Sequence, residues 1–159
     1  MKSSGLTIDL QGKRAFVSGV SSGIGAAIAA VLAQAGCDVA GCGRSTMSSP
    51  GVQAFHRSVR GHGRRSSYCE ADFTQSEAPA RAIAAAQDAL GGIDILVSNA
   101  GLNVFAGTAA CSESDWADCM NLDLAAHWRL AQAAQALLRQ AAGGGVIVII
   151  SSNHAWNTI

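Results

Sequence analysis

The chain has 159 residues, of which 49% are hydrophobic and 14% charged, with eleven cationic side chains balancing eleven anionic ones. This composition excludes a disordered chain, and zero net charge argues against a dedicated binder of nucleic acid or another polyanion. The longest apolar run, 146–150, falls far short of the roughly 20 residues a membrane span needs. Residues 1–11 hold no apolar signal core, so a cytoplasmic domain with no membrane association is expected.

In chain order, residues 14–18 read as a first strand, and the turn 19–23 follows at once. A helix is predicted over 24–35, where Ile24, Ile28, Val31 and Leu32 recur at helical spacing and Gly36 stops it. A second strand over 38–42 ends in Gly43 and Arg44, and 52–60 reads as a helix followed by a loop over 61–65. Tyr68 to Ala71 is the third strand, a helix runs over 77–90, and Gly91-Gly92 breaks it. Residues 93–98 form a fourth strand turning at Asn99-Ala100-Gly101. Ser112 or Ser114 caps a long helix carrying Trp116, Met120, Leu124, Trp128 and Leu130 to about Ala141. After the hinge 143–145, the wholly apolar 146–150 is a fifth strand, of the kind found in a sheet covered on both faces. Strands alternating with helix-length segments imply parallel βαβ units and a doubly wound α/β sheet in a single domain.

Five cysteines, Cys37, Cys42, Cys69, Cys111 and Cys119, include no C-x-x-C pair, so neither a disulfide framework nor a metal site is expected. They read as small hydrophobes in a reducing compartment.

The stretch Ser18-Gly19-Val20-Ser21-Ser22-Gly23-Ile24-Gly25 lies at the first strand-to-helix junction. Glycines there permit a tight turn and close backbone approach, and the helix N-terminus offers free N–H groups to a pyrophosphate. The spacing G-x-x-x-G-x-G resembles the cofactor motif of the short-chain dehydrogenase/reductase family. Three more stretches resemble that family in order: Ala71-Asp72-Phe73-Thr74, then Asp94 to Gly101 as D-x-L-V-x-N-A-G, then 145–152 ending at Ser152.

The resemblance implies a Rossmann-like sheet and hydride transfer between a nicotinamide cofactor and a carbonyl or alcohol. It implies cofactor binding by Gly19, Ser21, Ser22, Gly23, Ile24, Gly25, Arg44, Asp72, Phe73, Asn99, Ala100 and Gly101, with Asp72 toward the adenine. At the end of the second strand a carboxylate would mark NAD(H) and an arginine NADP(H). Gly43 and Arg44 stand there, so NADP(H) is favoured and NAD(H) is the alternative; Arg57, Arg60, Arg64 and Arg65 read as a solvated loop.

Ser152 takes the place of the family's catalytic serine. The family's acid/base Tyr and its Lys, as Y-x-x-x-K, would fall beyond Ile159, and Tyr68, Lys2 and Lys13 do not supply them. The family's Asn aligns with Asp123, or with Asn121 if the alignment slips by two. Asn153, His154 and Trp156 would enter the substrate side, suggesting a small, polar, polyhydroxylated carbonyl or alcohol substrate. His56, His62 and His127 show no partner pattern, and Trp128 and Leu130 are expected in the core or in a subunit interface.

These residues are compatible with two readings. In the first, the chain is the N-terminal part of an NADP(H)-dependent oxidoreductase that is a homodimer or homotetramer in full length, inactive alone and lacking the last strands. In the second, it is a non-catalytic dinucleotide-binding module.

Overall fold

The computed structural model describes residues 8–107 and 109–152. Five parallel strands, β1 (Arg14–Ser18), β2 (Asp38–Gly43), β3 (Ser66–Glu70), β4 (Ile95–Ser98) and β5 (Val146–Ile149), lie in the order β3-β2-β1-β4-β5. The chain builds outward from β1 in one direction through β2 and β3. It then crosses back to place β4 on the other side of β1. A cleft opens where the order reverses, at the carboxyl ends of the strands.

Alternation along β1 explains the two layers. Ala15 and Val17 face α1 (Gly23–Gln34) and α2 (Pro50–Gly61), where they pack with Ala29, Ala33, Val52 and Phe55. Phe16 faces the opposite way, toward α3 (Ala78–Leu90) and α5 (Ala126–Gln140), where Ala82, Ile83, Ala86 and Leu130 meet it. The small alanines that line both helical faces let the helices sit close to the sheet.

The predicted elements form with shifted edges. The third strand starts at Ser66, two residues ahead of its expected start, because its pairing with β2 begins at Ser66 opposite Val39. Ser112 is the cap: its hydroxyl accepts from the Asp115 amide at 3.1 Å while the Asp115 carboxylate accepts from the Ser112 amide at 3.2 Å. The long helix predicted from this point is not continuous. α4 (Glu113–Cys119) passes through a π-helical turn, Met120–Ala125, before α5 begins. π-Turns inside helices are uncommon and concentrate at functional sites. Leu130 is fully buried as expected, but Trp128 is 62% exposed and belongs to no core.

Strand β5 departs most from expectation. Its four residues are 40–52% exposed, whereas a continuous apolar run predicts cover on both faces. Among the described residues, β5 is the edge of the sheet beyond β4, and α5 gives it little cover.

Of the arginines read as a solvated loop, Arg57 is exposed on α2, whereas Arg60, Arg64 and Arg65 are tied down at the amino ends of the strands. Asp38 accepts from the Arg65 amide at 2.9 Å, from Arg65 Nε at 2.7 Å and from Arg64 Nε at 3.1 Å, so these cations hold β3 to β2. Arg60 donates to the Ser66 hydroxyl, which also bonds His56 Nδ1 at 2.8 Å, giving that histidine the partner its sequence context did not suggest. On the other side of β1, Asp94 Oδ2 accepts from the Arg14 amide and from Arg14 Nε, both at 2.8 Å. Cys37 and Cys42 are buried, Cys69, Cys111 and Cys119 are partly so, and all five are free thiols.

Candidate functional site: a cleft at the carboxyl ends of the strands

The turn between β1 and α1 is built for close approach. Gly19 has φ +78°, a left-handed conformation that side chains disfavour. Gly25, on the first turn of α1, is packed so tightly that an added Cβ would strike the Gly19 carbonyl and the Asn99 amide. That space is used. Asn99 Nδ2 donates to the Ser18 carbonyl at 2.9 Å, and the Ser18 hydroxyl accepts from the amides of Asn99 at 2.8 Å and Ala100 at 2.9 Å. The ends of β1 and β4 are thereby clamped into one floor beneath the cleft.

Ser22 caps α1 with extended backbone, and its side chain makes no capping bond. The first turn of α1 carries no acidic residue, so its N–H groups and partial positive charge face the cleft uncompensated.

The wall formed by the end of β2 is set by Tyr68. Its hydroxyl lies 2.9 Å from the Gly43 carbonyl and 2.7 Å from the Ser45 carbonyl, and it shares its proton between them. Burial pushes this phenol up to about 12, so it stays protonated as a structural donor. The Ser45 hydroxyl reaches Ser21 at 3.3 Å. Between these anchors Arg44 lines the cleft, exposed, with no hydrogen bond or ion pair among the described residues. The acid lining the cleft on this wall, Asp72, accepts from the Thr74 amide and hydroxyl at 3.0 Å each. Phe73 is buried below it.

At the other end of the cleft stand Ser151, Ser152, Asp123 and His127. The π-turn turns Asp123 inward, where its Oδ1 accepts from the Leu102 amide at 2.8 Å. His127, one turn later, bonds through Nδ1 to the buried Ser98 hydroxyl at 2.5 Å. Burial holds the His127 imidazole below the ordinary histidine range, and the nearby Asp123 carboxylate and carbonyl offset this only in part.

The cleft encloses about 1130 Å³ and brings together most of the residues singled out from the sequence: Gly19, Ser21, Ser22, Gly23, Ile24, Arg44, Asp72, Phe73, Asn99, Ala100, Gly101, Asp123 and Ser152. Gly25 stands behind its wall, and Asn121 lies outside it, accepting from the Arg129 guanidinium. Asn153, His154 and Trp156 fall outside the described residues. Sequence reasoning missed Ser18, Tyr68 and the Ser98–His127 pair. Each acts through a partner 23 or more residues away, so no local spacing announces it.

Comparison with known proteins places this geometry in context. The family model described as short chain dehydrogenase matches residues 13–159. The 2-dehydro-3-deoxy-D-gluconate 5-dehydrogenase of Dickeya dadantii (strain 3937) is 34% identical over 146 residues, covering 91% of this chain and 56% of that enzyme. The D-threitol dehydrogenase of Mycolicibacterium smegmatis (strain ATCC 700084 / mc(2)155) is 35% identical, with 92% of this chain and 55% of its own length covered. Among solved structures, a short chain dehydrogenase from Burkholderia cenocepacia J2315 in complex with NADP is 38% identical and superposes with a TM-score of 0.84. It covers 92% of this chain and 58% of that one. The chain therefore spans a little over half the length of the relatives it matches.

Proposed function

The chain belongs to the short chain dehydrogenase family, and on that premise we propose that it is the cofactor-binding part of an NADP(H)-dependent oxidoreductase. The observation that carries this reading is Arg44: a guanidinium without a protein partner among the described residues, at the lip of a cleft whose opposite corner is an uncompensated helix N-terminus. A pyrophosphate fits the N–H groups of the turn from Gly19 to Gly25, and a 2′-phosphate fits Arg44, which pairs with it through charge-assisted hydrogen bonds. Asp72 spends its Oδ1 on Thr74 and makes no ion pair with Arg44, which leaves the guanidinium available to that phosphate. NAD(H), lacking the 2′-phosphate, would leave Arg44 unused.

When bound, the nicotinamide supplies a hydride acceptor or donor for an alcohol or carbonyl. This chain's own residues position the reactants. Ser152, which lines the cleft beyond the end of β5, would hydrogen-bond the substrate oxygen. Asp123 braces the loop after β4 through the Leu102 amide and brings negative charge to that end of the cleft. The family's acid/base Tyr and Lys have no counterpart among these residues. Tyr68 is committed to Gly43 and Ser45, and Lys13 donates to the Ala142 carbonyl at 2.7 Å, far from the cleft. The 159-residue chain is therefore expected to bind cofactor without turning over substrate. The substrate of the whole protein is read as a small polyhydroxylated alcohol or carbonyl, in keeping with the carbohydrate chemistry named for two of its relatives.

Fluorescence titration of the purified chain with NADPH and NADH tests the cofactor assignment. NADPH is expected to bind at least about tenfold more tightly, and Arg44→Ala should erase most of that preference by removing a charge-assisted phosphate contact. Equal affinities in the unsubstituted chain would overturn it.

A further inference from the structure

The serine end of the cleft carries a pairing that hydride transfer alone does not call for. Asp123 and His127 sit one helical turn apart and both line the cleft beside Ser151 and Ser152. Their attachments differ. Asp123 spends Oδ1 on the Leu102 amide and remains exposed, whereas His127 is fixed through Nδ1 to Ser98, a residue only 1% exposed at the end of β4. Among the described residues, Asp123 is the one charged group acting on the His127 ring. Ser98 on β4, and Ile150, Ser151 and Ser152 after β5, carry no charge, and Arg44 and Asp72 stand at the far end of the cleft.

A nicotinamide dinucleotide held by its phosphates at Gly19–Gly25 and Arg44 would extend along the cleft toward this end, where Asp123 and His127 line it. The oxidised ring is a cation and the reduced ring is neutral. We propose that Asp123 and His127 set which redox state of the dinucleotide the cleft prefers, the carboxylate drawing in the oxidised, cationic ring. This rests on the cofactor reading above but goes beyond it, since that reading concerns the phosphate end.

Charge arithmetic gives the direction. With Asp123 ionised and His127 neutral, this end carries one negative charge, and the oxidised form is favoured. Protonating His127 cancels that charge and the preference with it. Because burial holds His127 below the ordinary histidine range, the cancellation sets in at lower pH than it would for a free imidazole. The 2′-phosphate and the pyrophosphate are common to both redox forms, so their own titration drops out of the ratio of affinities.

The experiment is a measurement of NADP⁺ and NADPH dissociation constants for the 159-residue chain, by calorimetry, from pH 5.0 to pH 8.5. The affinity ratio should favour NADP⁺ by about threefold to tenfold more at pH 8 than at pH 5, the scale of one partly screened unit charge. Asp123→Asn should remove that excess at pH 8, and His127→Gln should flatten the pH dependence. Should His127→Gln fail to fold, the unsubstituted chain still decides the matter. By linkage, NADP⁺ must lower the midpoint of the His127 imidazole NMR titration relative to NADPH. A ratio independent of pH, unchanged in Asp123→Asn and with coincident NMR midpoints, overturns the proposal while leaving the cofactor reading intact. Binding of neither form overturns the cofactor reading itself.

Discussion

Single side chains do unequal work here, and their weight depends on the groups they would leave unsatisfied. The carboxylate of Asp94 is 6% exposed and takes two bonds on Oδ2 from Arg14 and one on Oδ1 at 3.1 Å. Those Arg14 bonds hold its carboxyl below the usual range, against the opposing effect of burial. A depressed carboxylate contributes stability above its unfolded value of about 3.9, and this stability is lost as pH falls through the lower folded value. Asp94→Asn, which removes the charge opposite the Arg14 guanidinium and leaves its bond to the Gly91 carbonyl, should cost about 3 kcal/mol in urea unfolding at pH 7, with the gap closing below about pH 4. A cost that stays constant from pH 7 to pH 3 would show that the charge is not what Asp94 contributes. The motif residues were legible because the turn is contiguous: Gly19, Gly23 and Gly25 announce themselves by spacing. Tyr68 was not, because a phenol that anchors Gly43 and Ser45 looks in the sequence like any strand aromatic.

Among the elements, the helices that a hydrophobic period predicts are present, but period alone did not say which face is buried. Trp116, Met120, Leu124 and Trp128 keep a four-residue rhythm, and the sequence placed them with Leu130 on one long helix, with Trp128 and Leu130 expected in the core or in a subunit interface. In the structure the buried stripe is Leu122, Ala126, Leu130, Ala134 and Leu138, while the four larger residues are 39–62% exposed. The π-turn at Met120–Ala125 does not separate them, since Trp116 before it and Trp128 after it are exposed alike. Small alanines fit against α3, leaving the bulky side chains outside, as an apolar patch of the kind that marks interaction surfaces. We expect the chain to self-associate through this face. Leu124→Glu with Trp128→Glu should shift sedimentation toward monomer without altering the circular dichroism spectrum. An unchanged sedimentation profile would place any association elsewhere, with β5 the next surface to test.

At the scale of the whole molecule, the doubly wound class and the landmark order could be read from alternation and motif, and the structure and its relatives agree. How completely each strand is covered could not be read. An apolar run such as Val146–Ile149 specifies that a strand requires burial, not that this stretch of chain provides it. The strand order has a consequence in time as well as in space. β2 and β3 come soon after β1 in the chain, but Phe16 meets Leu96 across 80 residues, so the β1–β4 seam closes only after a large loop has been ordered. Once closed, β1 has a neighbour on each side and a helical layer on each face. Its amides should therefore exchange with deuterium at the rate of global unfolding, while those of β5 exchange through local opening. The floor of the cleft, clamped by Ser18 at the end of that same strand, would then be the most persistent surface of the protein. A ligand arriving there would meet a site already assembled, and its binding would register as slower exchange at the cleft walls rather than at the floor.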